Sequence, residues 1–346
     1  MSMGQRPAAD RSPAAGDRPT LRMVAAEAGV SVATVSYVLS GRHRSHTIKD
    51  STADRVREAA ARLGYRRNDA ARAIRTGKSD LVLLSLSVLA DPWSQAVAET
   101  VSAAVSPLGK TALIVADGDW RTVLSNRTPD VIFIDSVSPD PAQIAELEAF
   151  AAQGVQIVAF SETLEPRGFD VIRSGAEPRC HLAVEHLLEH HSRVGALTSR
   201  TSGFARFDAY VNTMRSAGRP IRDEDIEIFE RHPEGAYRAA MALLTKPDRP
   251  TAIYCTTDFA AIAAVRAAHR LRIDVPRDLA VVGVGNTPEG EHLDPSLSTV
   301  GPVGFNEALA RIIVGRLTDR EGAPGEVFDF PWQLIIRESS RVPADG

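Results

Sequence analysis

Two hydrophobic periodicities alternate along most of this chain. Short apolar runs recur at Leu81–Ser87, Thr111–Ala116, Val131–Asp135, Val155–Phe160, Val194–Thr198, Ile226–Phe229, Ala252–Thr256 and Leu279–Val284. Between them, apolar residues at helical spacing mark Trp93–Val105, Pro141–Ala152, Pro178–His190, Phe204–Ser216, Gly235–Leu244 and Phe259–Leu271. The runs are apolar at consecutive positions, which predicts strands buried on both faces. Their alternation with helices predicts parallel sheets covered on both sides. About eight such units exceed one comfortable open sheet, so two doubly wound α/β lobes are expected. No sequence-identical repeat is evident.

Before Ser79 the pattern is different. Leu21, Val24, Ala25 and Ala28 follow helical spacing behind Thr20, a good N-cap, and Gly29 suits the left-handed residue that ends a helix. Ser31 then caps a second short helix, Val32 to Leu39. Two short helices around a Gly-containing turn form a helix-turn-helix signature. A third helix from about Ser51 to Leu63 presents Val56, Ala59, Ala60 and Leu63 on one face, enough to close a small all-α core, and Gly64 ends it.

Charge separates the same two regions. The 346-residue chain has a net charge of −4, but Arg18 to Lys78 contains 13 Lys+Arg against 5 Asp+Glu, a surplus of 8, and the remainder sums to −12. A basic N-terminal segment on an acidic body points to a nucleic-acid module joined to a part that does not bind nucleic acid. The first 19 residues, rich in Ala, Pro, Arg and Asp, read as a disordered tail without a signal peptide. The longest apolar stretch, Leu81 to Leu89, is too short to span a bilayer. No membrane partner and a cytoplasmic location are therefore expected. Cys180 and Cys255 read as reduced, buried thiols.

The string Met23-Val24-Ala25-Ala26-Glu27-Ala28-Gly29-Val30-Ser31-Val32-Ala33-Thr34-Val35-Ser36-Tyr37-Val38-Leu39-Ser40-Gly41 is followed by Arg55-Val56, Leu63-Gly64-Tyr65 and Asn68-Asp69-Ala70-Ala71-Arg72-Ala73-Ile74. Together they resemble the DNA-binding headpiece of the lactose-repressor (LacI/GalR) family. The resemblance implies that the second helix enters the major groove of operator DNA. Val32 and Ala33, the two residues after the capping Ser31, would carry much of the operator choice, with Thr20, Thr34 and Ser36 beside them. Tyr37 stands where the family most often has Arg. Residues 67–78 would form a hinge that becomes helical when two copies meet on the minor groove. There Ile74 would wedge between base pairs, and Asn68, Ala71, Arg72 and Arg75 would support it. A homodimer is implied, because one headpiece reads only a half-site.

A looser resemblance runs through the body. Pro250–Asp258, Val275–Gly283, Pro295–Val300 and Leu334–Ser340 are similar to segments of the family's periplasmic-binding-protein-like sensor, whose small-molecule effector sits between two lobes. Arg206 matches the family's effector-binding Arg, Asp258 matches an Asp of the opposite cleft wall, and Trp93 falls where an aromatic stacks on a flat ligand face. Gly285, followed by Asn286, replaces an Asp that accepts sugar hydroxyls in sugar-binding members. Ser161 follows Phe160 where another Asp is often found. These six residues are the expected effector set, with a sugar or glycoside as the first ligand class.

The expected organisation is a tail over 1–19, a helix-turn-helix domain over 20–66, a hinge over 67–78 and a two-lobed effector-binding and dimerisation domain over 79–346. The expected function is sequence-specific repression of transcription under effector control, without a cofactor. Val282-Gly283-Val284-Gly285-Asn286 lacks the third glycine of a dinucleotide loop, no phosphate-loop Gly-Lys-Ser/Thr occurs, and no Gly-x-Ser-x-Gly elbow is present. His181, His186, His190 and His191 lack a ligand cluster, so neither a metal nor a catalytic site is expected. The competing reading is a free-standing small-molecule-binding or sugar-modifying α/β protein with an incidental basic arm.

Overall fold

The computed structural model describes residues 19–39, 47–66, 78–116, 119–126, 128–137, 140–173, 179–199, 204–230, 232–318 and 323–341. The chain divides at Lys78/Ser79 into two compact units.

The first unit contains α1 (Leu21–Ala28), α2 (Val32–Leu39) and α3 (Asp50–Arg62). The Thr20 hydroxyl accepts from Met23 N, and Gly29 ends α1 at φ 62°. Ser31 Oγ accepts from Thr34 N at 3.1 Å, opening α2. The axes of α1 and α2 differ by 103°, within the range of a helix-turn-helix. Val24, Val35, Ala53, Val56 and Ala59 fill the core between the three helices.

The second unit holds two six-stranded sheets. The first sheet comprises β1 (Leu81–Leu86), β2 (Thr111–Ala116), β3 (Val131–Ile134), β4 (Gln156–Phe160), β5 (Asp170–Arg173) and β11 (Val327–Asp329), in the order β11-β5-β4-β3-β1-β2 and parallel throughout. The second comprises β6 (Val194–Ser199), β7 (Ile226–Phe229), β8 (Ala252–Cys255), β9 (Ala280–Val284), β10 (Ser298–Gly301) and β12 (Gln333–Ile335), in the order β12-β10-β9-β8-β6-β7; only β12 is antiparallel. Each sheet therefore contains the doubly wound order 2-1-3-4-5, whose switch point lies between its first and third strands.

Helices α4 (Pro92–Val105), α5 (Trp120–Asn126) and α6 (Pro141–Ala152) belong to the first lobe. Helices α7 (His181–Leu188), α8 (Phe204–Ser216), α9 (Pro233–Leu244), α10 (Asp258–Leu271) and the single turn α11 (Pro288–Glu291) belong to the second. The chain then returns to the first lobe, where α12 (Phe305–Leu317) packs Phe305, Leu309 and Ile313 against Val82, Val97, Val101 and Phe133. Separate apolar clusters cover both faces of both sheets, which is why their strands read as continuous apolar runs.

The expected two-lobed α/β architecture is the observed one, with local differences. Strands β5, β10, β11 and β12 were not anticipated, nor were helices α5, α11 and α12. The helix expected over Pro178–His190 is His181–Leu188. Both cysteines are buried and stand outside any disulfide among the described residues.

Candidate functional site

In the first unit, α2 has two unlike faces. Val35 and Val38 are buried, with Leu39 packed beside them. Val32 and Tyr37 are 42% and 37% exposed, and Ser31 and Ala33 are exposed as well. Residues 32 and 36, and residues 33 and 37, each lie one turn apart on the helix surface, so the chain leaves a stripe of Val32, Ala33, Ser36 and Tyr37 outside its core. The Ser31 and Thr34 hydroxyls are 2.9 Å apart and fix the start of that stripe. Thr20 is exposed at the start of α1. The hinge residues Asn68, Ala71, Arg72, Ile74 and Arg75 lie outside the described residues.

In the second unit, a cavity of about 180 Å³ opens between the lobes. Its walls come from the carboxyl ends of strands at and beside the two switch points, where open α/β sheets bind ligands. Ser87 follows β1, Asp135 follows β3 and Phe160 ends β4; Thr257 and Asp258 follow β8, and Gly285 follows β9. Trp93, Arg206, Asp258 and Gly285, all expected at the ligand site, line this cavity.

Each of these side chains is held by its neighbours. Asp91 caps α4 by accepting from Trp93 N at 3.0 Å, which sets the Trp93 ring at the cavity. Trp93 packs against Phe133, Phe160 and Phe305, with ring centroids 5.9–6.4 Å apart. Asp135 accepts from both the backbone N–H and the hydroxyl of Ser87, at 2.7 Å each. From the other lobe, Arg206 donates from Nη1 to the Thr256 carbonyl at 2.9 Å, and its guanidinium lies 5.2 Å from the centre of the Trp332 ring. That contact is a cation–π interaction. Trp332 is 4% exposed, and its buried indole N–H has no hydrogen-bond partner among the described residues.

Asp258 is the buried carboxyl of the site. Oδ2 accepts from Thr287 N at 2.7 Å and Oδ1 from the Thr299 hydroxyl at 2.6 Å. Burial raises its pKa to about 6; these hydrogen bonds oppose the rise and the Asp91 charge adds to it. Gly283 makes room for the carboxyl, since a Cβ there would lie 2.3 Å from Oδ1. Gly285 has φ 142° and donates to the Val300 carbonyl. The backbone itself thus favours glycine at this position.

Two expectations need correction. Ser161 does not line the cavity; its hydroxyl accepts from Thr163 N and Leu164 N and caps its own turn. Asn286 does not line it either; its amide donates to the Pro302 carbonyl and accepts from Arg337. Asp258 is the first residue of α10, and the Thr257 hydroxyl caps that helix through Ala260 N.

Sequence reasoning missed Ser87, Asp91, Asp135, Phe160, Phe305 and Trp332. For Ser87 and Asp135 a usable signal existed, because each sits at the carboxyl end of an expected strand. Phe305 and Trp332 come from segments where no element was expected.

Comparison with known proteins places both units. The family described as "Bacterial regulatory proteins, lacI family" matches residues 20–68, and "Periplasmic binding protein-like domain" matches residues 184–340. The chain is 26% identical over 346 residues to the HTH-type transcriptional repressor PurR of Serratia proteamaculans (strain 568), an alignment covering 94% of this chain and 97% of that protein. A LacI family transcriptional regulator from Silicibacter pomeroyi superposes with a TM-score of 0.74 at 20% identity, over 93% of this chain and all of that one. The lac repressor dimer bound to operator and the anti-inducer ONPF gives 0.66 at 21%, over 94% and 100%. A complex of the transcriptional regulator CelR with cellobiose gives 0.60 at 24%, over 93% and 100%.

Proposed function

The chain belongs to the LacI family of bacterial regulatory proteins, and from that premise we propose that it is a homodimeric, sequence-specific repressor whose grip on operator DNA is set by a small molecule between its lobes. One observation supports this reading above the others. A helix-turn-helix with a solvent-facing recognition stripe shares the chain with a two-lobed sensor whose cavity sits at both switch points. A free-standing α/β protein accounts for the second unit and leaves the first without a role. The relatives are transcriptional regulators, and the proposed role requires no catalytic step. It places the protein in the cytoplasm with its DNA; among the described residues, no single helix is long and apolar enough to cross a membrane.

Ser31, Val32, Ala33, Thr34, Ser36 and Tyr37 meet the major groove, with Thr20 placed to reach the backbone from the start of α1. Val32 and Ala33 touch thymine methyls but cannot make bidentate hydrogen bonds, so the operator carries A·T pairs at those steps. Asn68, Ala71, Arg72, Ile74 and Arg75 act in the minor groove over a 67–78 hinge. Edge strands β2 and β7 expose Leu113, Ile114 and Ile228, apolar edges of a kind that proteins usually cover, which supports pairing of two copies.

The test is duplex binding followed across salt. Mobility shifts on fragments upstream of the protein's own gene should show a near-palindromic site. Affinity should fall by roughly a thousandfold or more between about 50 and about 200 mM salt if six or more phosphates are neutralised. A flat salt response, or equal affinity for single strands, would overturn the assignment of the first unit.

Arg206→Ala tests the sensor half. Metabolites that shift operator affinity in the wild type should lose that effect in the variant, while ligand-free operator binding stays within about twofold, because coupling passes through differential effector affinity for two lobe arrangements. An undiminished response would place the effector elsewhere.

A further inference from the structure

The amino ends of three neighbouring strands of the first sheet are tied together, at the opposite end of those strands from the cavity. Lys110 directly precedes β2, Asp130 directly precedes β3, and Ser79 and Asp80 lead into β1, which lies between them. The Asp130 carboxylate accepts from four donors: Ser79 N at 2.6 Å, the Ser79 hydroxyl at 3.0 Å, Asp80 N at 3.1 Å and Lys110 Nζ at 2.7 Å. Lys110 Nζ also donates to Asp80 Oδ1 at 3.0 Å. The Lys110 and Asp130 side chains are only 14% and 9% exposed, so salt screens their attraction less than that of a surface pair. Asp80 holds φ 60°, a left-handed backbone that favours glycine, and the lock fixes both its N–H and its carboxylate.

Ser79 is the first residue of the second unit, so the lock grips the chain where it arrives from the first. The other end of the same strand pair opens on the cavity, where Ser87 after β1 donates to Asp135 after β3. β1 has six residues, about 20 Å of chain, and is paired along both edges. A short strand bonded on both sides and tied at both ends moves as one rod. Backbone ladders already join these strands. What the charged cluster adds is a fixed point and direction for the chain at Ser79.

From this arrangement we propose that Asp130 and Lys110 are positioning residues for DNA recognition. They fix where and in which direction the chain leaves the sensor, so that two copies present their readers to an operator in one register. The proposal rests on the reading of the first unit as the DNA reader, and neither side chain touches DNA in it. Loss of the lock therefore costs sequence-specific binding, which demands register, and spares non-specific binding, which demands only charge.

The test uses a duplex enriched by the wild-type full chain from a random-sequence pool, and a scrambled duplex of the same length. The ratio of the two affinities at fixed salt measures specificity. Lys110→Met keeps the stem and removes the ammonium. It should lower the ratio at least about tenfold, out of the roughly thousandfold or more of a specific binder. Ser79→Ala removes one hydroxyl and should lower it about threefold. Lys110→Arg restores the charge and should recover most of the ratio. Arg193→Met is the control for general loosening: it breaks an ion pair of the second lobe, Arg193 with the buried Asp225, and should lower the melting temperature without lowering the ratio.

An unchanged ratio in Lys110→Met and Ser79→Ala, or in Ser79→Ala alone if Lys110→Met does not fold, would overturn the proposal. An equal fall in Arg193→Met would overturn it too. So would a salt slope on the scrambled duplex reduced by about 1.8 in Lys110→Met, the mark of one lost phosphate contact in each of two copies. If the wild type enriches no duplex, the reading of the first unit fails first and the proposal falls with it.

Discussion

Replacing Arg316 by alanine is expected to destabilise the sensor unit by about 3–5 kcal/mol, the usual cost of removing one partner of a buried ion pair. Arg316 and Asp170 are 1% and 0% exposed and meet through two hydrogen bonds of 2.7 and 2.5 Å. Arg316 also donates to the carbonyls of Ala323 and Pro324, and Asp170 accepts from Glu326 N. The pair therefore ties α12 to β5 and to the segment that leads into β11. Without the guanidinium, Asp170 would be a buried charge that has lost both of its hydrogen bonds from Arg316. Urea unfolding followed by far-UV circular dichroism measures the loss. The double change Arg316→Met with Asp170→Leu should lose less than the single one, because it leaves no orphaned charge. A single-variant loss below about 1 kcal/mol would mean that water reaches the site and screens it.

Asp258→Asn should do the opposite, stabilising the protein while deafening it to the effector. In the native state the Asp258 carboxyl is raised from its ordinary 3.8 to about 6 by burial, against the opposing hydrogen bonds from Thr299 and Thr287. Between those two values the native protein holds more protons than the unfolded chain. Stability must then fall as pH rises through that window, by on the order of 3 kcal/mol in total. Asparagine carries no charge and can still accept from Thr287 N while donating to Thr299 Oγ. The variant should show a flatter unfolding free energy between about pH 4 and about pH 6 and greater stability at pH 7. Thermal unfolding across pH decides the point. A profile identical to the wild type would mean that Asp258 ionises without strain. On the proposed reading of the cavity, Asp258 trades stability for binding, a common feature of functional positions.

These two carboxylates also explain where sequence reasoning stopped. The strands that were foreseen are apolar at nearly every position, because helices cover both faces of each sheet. Strand β5 begins with Asp170 and ends with Arg173, and β10 begins Ser298-Thr299. Their polar side chains are paired within the protein: Asp170 with Arg316, Ser298 with the backbone around Arg337, and Thr299 with Asp258. A buried polar group whose partner lies some 40 to 150 residues away looks like a surface residue in a local window. Helix α12 is a different case. Phe305, Leu309, Ile312 and Ile313 carry a helical signal, but the strand-helix alternation gave no reason to expect a return to the first lobe.

The site was legible to the same depth. Positions fixed by strand ends and by resemblance, namely Trp93, Arg206, Asp258 and Gly285, line the cavity. Ser161 and Asn286 neighbour those ends in sequence, but their side chains turn into local hydrogen bonds. Direction, unlike position, depends on contacts that the sequence does not spell out. In the first unit α2 divides cleanly, because a helix eight residues long offers one face to so small a core.

The return of α12 and β11 to the first lobe also sets an order of events during synthesis. The three-helix module is contiguous, so all of it has been synthesised by about Tyr65 and, once it emerges, can close with only local contacts. The first sheet cannot be finished when β5 emerges, although five of its six strands are already made. Its outer strand, its covering helix and the base that neutralises Asp170 all lie beyond residue 300. The nascent chain must therefore carry an incomplete lobe, with the Asp170 carboxylate still unpaired with Arg316, through the translation of the entire second sheet up to β10. The DNA reader is ready early, and the sensor becomes whole only in the last few dozen residues.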